Sequence, residues 1–123
     1  MDGKGPKGRG QASAVAASSL ARCETALLKF RRGSAQHTLL VRRIAALRTA
    51  CALLSESTRD YTRAELEAAL PPLRSIAAKC EKARSKYGPD APQRARFDPL
   101  VGAMEVSLAR ILQQLEILGE NGL

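Results

Sequence analysis

The sequence predicts an all-α fold, an antiparallel up-down-up-down four-helix bundle made of two repeated helical hairpins. Three observations carry this expectation. The stretch Ala21-Arg22-Cys23-Glu24-Thr25-Ala26-Leu27-Leu28-Lys29-Phe30 aligns without a gap on Ala78-Lys79-Cys80-Glu81-Lys82-Ala83-Arg84-Ser85-Lys86-Tyr87, at an offset of 57 and with five of ten positions identical. The same offset pairs Gln36 with Gln93, Ile44 with Val101, Ala46 with Ala103 and Leu54 with Ile111, and a unit written twice points to one domain of two equivalent hairpins. Aromatic residues make up only 3% of the chain and Ala and Leu carry most of the apolar content, a mix that favours helix over strand. Finally, apolar residues recur with alternating steps of four and three in four segments, as a buried helical face requires.

The elements follow in order. Residues 1–11 hold four glycines and one proline among basic side chains, and are expected to form a disordered basic tail. The bundle then spans 12–118, with the first repeat at about 12–55 and the second at about 63–118. Helix 1 is expected from about Ala12 to Arg32, with Ala16, Leu20, Cys23, Leu27 and Phe30 inward and Gly33 ending it. Helix 2 runs from about Ala35 to Ser55, capped by Ser34. Its stripe is Leu40, Ile44, Leu47, Cys51 and Leu54, widened by Leu39, Ala46, Ala50 and Leu53. Thr62-Arg63-Ala64-Glu65 is a capping box that starts helix 3 at Arg63. Pro71 and Pro72 interrupt this helix, yet Leu66, Leu70 and Leu73 keep helical spacing across them, so a kink is expected rather than a loop. Gly88-Pro89-Asp90 makes the second turn, with Asp90 and Gln93 as a further capping box. Helix 4 is expected from about Ala91 to Leu118 along Phe97, Val101, Met104, Leu108, Ile111 and Leu115. Pro99 either bends it or marks a new start capped by Asp98. Residues 119–123 are expected to fray.

The 123-residue chain has a formal net charge of +8 and a pI near 10. Such a balance favours an acidic partner and says nothing about fold. The charge is polarised along the expected bundle. Lys29, Arg31, Arg32, Arg42 and Arg43 give residues 29–43 a net +5, and residues 79–96 carry +4. Residues 98–123 carry −3, from Asp98, Glu105, Glu116 and Glu120 against Arg110. Both hairpin turns fall at one end in the antiparallel topology, so that end is basic and the other acidic. The first turns of helices 2 and 4 bring Gln36 and Gln93 to the same end, where free amides and helix dipoles favour anions. The expected anion-binding set is therefore Lys29, Arg31, Arg32, Gln36, Arg42, Arg43, Lys86, Gln93, Arg94 and Arg96. Nucleic acid would be held there mainly through phosphate, because rings for stacking are scarce.

The segment Arg32-Gly-Ser-Ala-Gln-His37 contains an Arg and a His separated by four residues. It resembles the catalytic motif of the HEPN family of small helical-bundle ribonucleases, over six residues of the chain. That resemblance implies RNA cleavage by Arg32 and His37 together. The second repeat has Arg94 in place of this His.

Three cysteines, none in a C-x-x-C pair, are an odd number and fall on apolar stripes. They read as reduced core thiols of a cytoplasmic protein. Helices 1 and 3 are diagonal in the bundle, which keeps Cys23 and Cys80 too far apart for a disulfide. No metal site and no cofactor motif is expected. Leu20-Ala21-Arg22-Cys23 lacks the small residue that a lipoprotein cleavage site needs before its cysteine. No apolar run reaches the length of a membrane span. The expectation is a non-enzymatic binding module that contacts nucleic acid or another polyanion, or an acidic protein, through its basic end. The alternatives are a protein-interaction or homo-oligomeric scaffold module, with a homodimer through helix 2, and a HEPN-like ribonuclease.

Overall fold

The computed structural model describes residues 4–55 and 60–121. Short-range hydrogen bonds set where two of the long helices begin. Ser34 is extended and its Oγ accepts from the His37 amide at 3.1 Å, starting α2 at Ala35–Leu54. Thr62 Oγ1 accepts from the Glu65 amide at 3.1 Å, and the Glu65 carboxylate accepts from the Thr62 amide at 3.0 Å. This reciprocal box starts α3 at Arg63–Arg84 and satisfies two amides that a helix end leaves free. Pro71 and Pro72 lie inside α3, which continues through them with Leu66, Leu73 and Ile76 buried on either side.

The remaining helices are α1 (Lys4–Leu27), a single turn α4 (Pro92–Ala95) and α5 (Asp98–Asn121). The described residues form an all-α structure of four long helices, as the fold class requires. Backbone contacts close a ring from α1 to α2, α3, α5 and back to α1. Across the middle α2 also touches α5, whereas α1 and α3 stay apart. Arg84 at the end of α3 pairs with Asp98 at the start of α5 at 2.7 Å. Arg63 at the start of α3 lies beside Gly119 near the end of α5.

The core follows the apolar stripes closely on three helices. Leu47, Leu54, Leu66, Leu73, Met104 and Ile111 are fully buried. Ser107 is buried with them and donates to the Ala103 carbonyl at 2.7 Å, a bond that offsets the desolvation of its hydroxyl. Helix α1 enters this core with small side chains. Ala12 and Ala16 are buried, while Leu20 and Cys23 pack against the core only in part.

Four boundaries differ from those read in the sequence. Helix α1 begins at Lys4, not at about Ala12. Pro6 falls in its first turn, where no amide bond is lost, and the buried Ala12 and Ala16 anchor the helix beyond its glycines. The same helix ends at Leu27, so Phe30 lies in a turn and is 39% exposed rather than inward. Helix α5 continues through Gly119 to Asn121. The expected fourth helix is split at Arg96 and Phe97, the new-start alternative. An uninterrupted helix would set the Pro99 ring against the Ala95 carbonyl and lose that bond; instead Val101 bonds Phe97 and α5 opens at Asp98. Asp90 does not cap: Ala91 holds the cap position of α4 with no side-chain bond. Residues 1–3, 56–59 and 122–123 lie outside the described residues.

The repeat reappears in the backbone of the two turns. Helices α1 and α3 end at Leu27 and Arg84, and α2 and α4 begin at Ala35 and Pro92, each pair 57 apart. Lys29 bonds Ala26 as Lys86 bonds Ala83, Phe30 bonds Leu27 as Tyr87 bonds Arg84, and Ser34 bonds Arg31 as Ala91 bonds Gly88. Gly33 adopts φ +85°, a left-handed conformation, with open space around a Cβ position; Gly88 has the same open space at an ordinary φ. Gly33→Ala is therefore expected to destabilise the protein by about 1 kcal/mol through conformation alone, and Gly88→Ala to be neutral or slightly stabilising. Urea denaturation midpoints of the two variants check this contrast.

Candidate anion-binding end

The ten residues of the expected anion set do not play equivalent parts. Lys29, Arg31 and Arg32 project from the turn between α1 and α2, Arg42 from the second turn of α2, and Lys86 from the turn between α3 and α4. All five are exposed, and none forms an ion pair or side-chain hydrogen bond among the described residues. Gln36 and Gln93 are exposed in the first turns of α2 and α4. The two turns are not equivalent as helix starts, because α4 is a single turn and α5 opens with the acidic Asp98. That carboxylate binds Arg84 and holds the guanidinium pKa above its ordinary value, chiefly through their hydrogen bond.

Arg94 is engaged within the fold. Its Nη1 donates to the Tyr87 carbonyl at 3.2 Å and to the Arg84 carbonyl at 3.4 Å. The Arg84 carbonyl is the last of α3 and the Tyr87 carbonyl lies in the turn that follows, where a cation also complements the helix dipole. Arg43 is turned inward rather than onto the surface. Its Nε and Nη2 are buried with no hydrogen-bond partner, and its charge acts on both Cys23 and Cys80. Arg96 is exposed in the break between α4 and α5 and lines a cleft with Arg22, which the sequence did not single out.

Arg32 stands exposed in the turn, and His37 is half-buried in the first turn of α2 with its amide on Ser34. Glu24, a repeat-equivalent of Glu81, pairs with Arg48 of α2 at 2.9 Å, an exposed pair of small energetic weight. The rings of the two turns are more accessible than a buried stripe implies. Phe30 and Tyr87 are each 39% exposed, and Leu28 is 86% exposed. Tyr87 stacks on Phe97 with centroids 6.2 Å apart. The sequence signal that could have exposed Phe30 is the polar, glycine-containing run from Lys29 to Ser34, which is poor helix.

The three thiols are free and half-buried. Burial raises each thiol pKa; beside Cys23 and Cys80 the Arg43 charge opposes that rise without overcoming it. No group of three or more His, Cys, Asp or Glu among the described residues could hold a metal ion. No helix among them is long and apolar enough to cross a membrane. No family model, no curated protein and no solved structure matches this chain.

A raised thiol pKa in the fold has a definite sign for stability. Above the ordinary value of 9.0 the unfolded chain loses thiol protons that the folded chain retains, which favours unfolding as pH rises. Stability is therefore expected to be insensitive to the thiols below pH ~9 and to fall above it. Replacing all three cysteines by alanine should flatten that part of the urea-midpoint profile.

Proposed function

We propose that this protein is a non-enzymatic helical binding module that holds a polyanion, nucleic acid first among them, at the end formed by its two hairpin turns. One observation carries the reading: Lys29, Arg31, Arg32, Arg42 and Lys86 are exposed and without carboxylate partners among the described residues. In an antiparallel bundle the two matched turns share an end, which gathers these charges. Unpaired arginines suit bidentate contact with phosphate. Affinity would then come from the phosphate backbone and depend steeply on salt. Exposed Phe30 and Tyr87 beside those cations add ring faces on which unpaired bases can stack.

Fluorescence anisotropy with short RNA and DNA across a salt series tests this. Combined Arg31→Glu, Arg32→Glu and Arg42→Glu should lower affinity at least ~100-fold, and should reduce the salt slope by about 0.9 for each duplex phosphate that is no longer neutralised. Arg74→Glu, on the middle of α3, should leave both unchanged. Binding that survives the triple reversal, or no binding at low salt, overturns the reading.

A second reading is a homo-oligomeric interaction module: Leu39 and Val41 of α2 are 43% and 45% exposed, on either flank of the buried Leu40, and a partner chain would cover one of them. It predicts that Leu39→Arg halves an oligomer's mass by light scattering, and an unchanged monomeric mass in the parent chain counts against it.

A further inference from the structure

A cleft of about 490 Å³ lies where α1 passes the end of α3 and the break before α5, a size within the range of small-ligand sites. Its apolar wall includes Val15, Phe97 and Leu100. Val15 and Leu100 pack directly on the core, so the wall is backed by rigid structure. Arg22 enters from α1 and Arg96 from the break. Arg22 donates to the Ser18 hydroxyl at 3.2 Å, and neither guanidinium meets a carboxylate among the described residues. Both stay charged at any working pH, so the cleft holds two like charges beside an apolar surface.

We infer that this cleft binds a phosphate monoester carrying an apolar or aromatic body. Two guanidinium forks match a dianionic head better than a single carboxylate, since a phosphate monoester carries about −1.5 to −2 charges near neutral pH and arginine engages its oxygens two at a time. The apolar wall gives the body of the molecule a surface to desolvate. Free phosphate would meet the arginines alone, and a neutral ring the wall alone; either should bind more weakly than the two joined. The site is independent of the polyanion reading, since the triple reversal that tests that reading leaves Arg22 and Arg96 in place.

Isothermal titration of the full chain with 1-naphthyl phosphate tests the inference, with 1-naphthol and inorganic phosphate as comparators. One naphthyl phosphate should bind per chain, at least ~10-fold tighter than either comparator. Arg22→Gln and Arg96→Gln should each weaken it by ~10-fold, the usual worth of a charge-assisted hydrogen bond. Both side chains are exposed, so the variants should fold, and circular dichroism verifies it. Cys80 lines the cleft and Cys51 does not, which gives a positional readout. Bound probe should slow site-resolved alkylation of Cys80 several-fold and leave Cys51 unchanged. The inference is overturned by naphthyl phosphate binding no tighter than inorganic phosphate, by undiminished binding in folded glutamine variants, or by an unchanged Cys80 rate.

Discussion

Pro99 is the constraint around which the second half of this structure is arranged. It has no amide proton and cannot lie inside a continuous helix without disturbing the carbonyl four residues earlier. The helix that starts at Pro92 therefore stops at Ala95, and α5 starts afresh at Asp98. Several features follow from that one break. Asp98 arrives at a helix start next to Arg84, Arg94 turns back onto carbonyls at the end of α3 and in the turn after it, and Phe97 is free to stack on Tyr87. Arg96 is left facing a cleft instead of lying along a helix surface. The first hairpin has Arg42 at the equivalent position and keeps α2 unbroken. Two hairpins from one repeat thus diverge after their turns, at a proline that the first hairpin lacks.

The rest of the bundle is organised around α2 and α5, which meet across the middle. Both are apolar over wide faces, and between them they supply Leu47, Leu54, Met104 and Ile111 to the fully buried core. Helix α1 is held differently. Its deepest residues are Ala12 and Ala16, with larger side chains only partly covered. Small residues let backbones approach but bury little area, so α1 contributes less to the core for its length. That shallow seating also leaves the cleft between α1 and the start of α5 unfilled.

The basic charge of the chain divides into two populations. Arg84, Arg94 and Arg48 have protein partners, a carboxylate or backbone carbonyls. Lys29, Arg31, Arg32, Arg42 and Lys86 have none among the described residues. Arg43 belongs to neither, with part of its guanidinium buried near two thiols and unpartnered. Net charge alone does not separate these roles, and the difference decides which arginines are available to an external anion.

Local chemistry made much of the fold legible in the sequence. Ser34 and the Thr62–Glu65 box specify helix starts through bonds spanning three residues, and the stripes through Leu47, Leu73 and Met104 specify buried faces by periodicity. The 57-residue offset anticipated two turns with matching backbone bonds, because equal sequence at a helix end makes equal local bonds. The alternatives at Pro99 could be named but not decided there, since a bend and a new start share the same local pattern. Only the tertiary structure decided that Tyr87 lies partly exposed, that Arg43 turns inward, that Arg94 bonds back to the turn after α3 and that Arg22 and Arg96 line one cleft. The reason is range: a cap or a stripe is written within a few residues of itself, whereas the surroundings of a long, flexible arginine depend on which distant helices are packed around it.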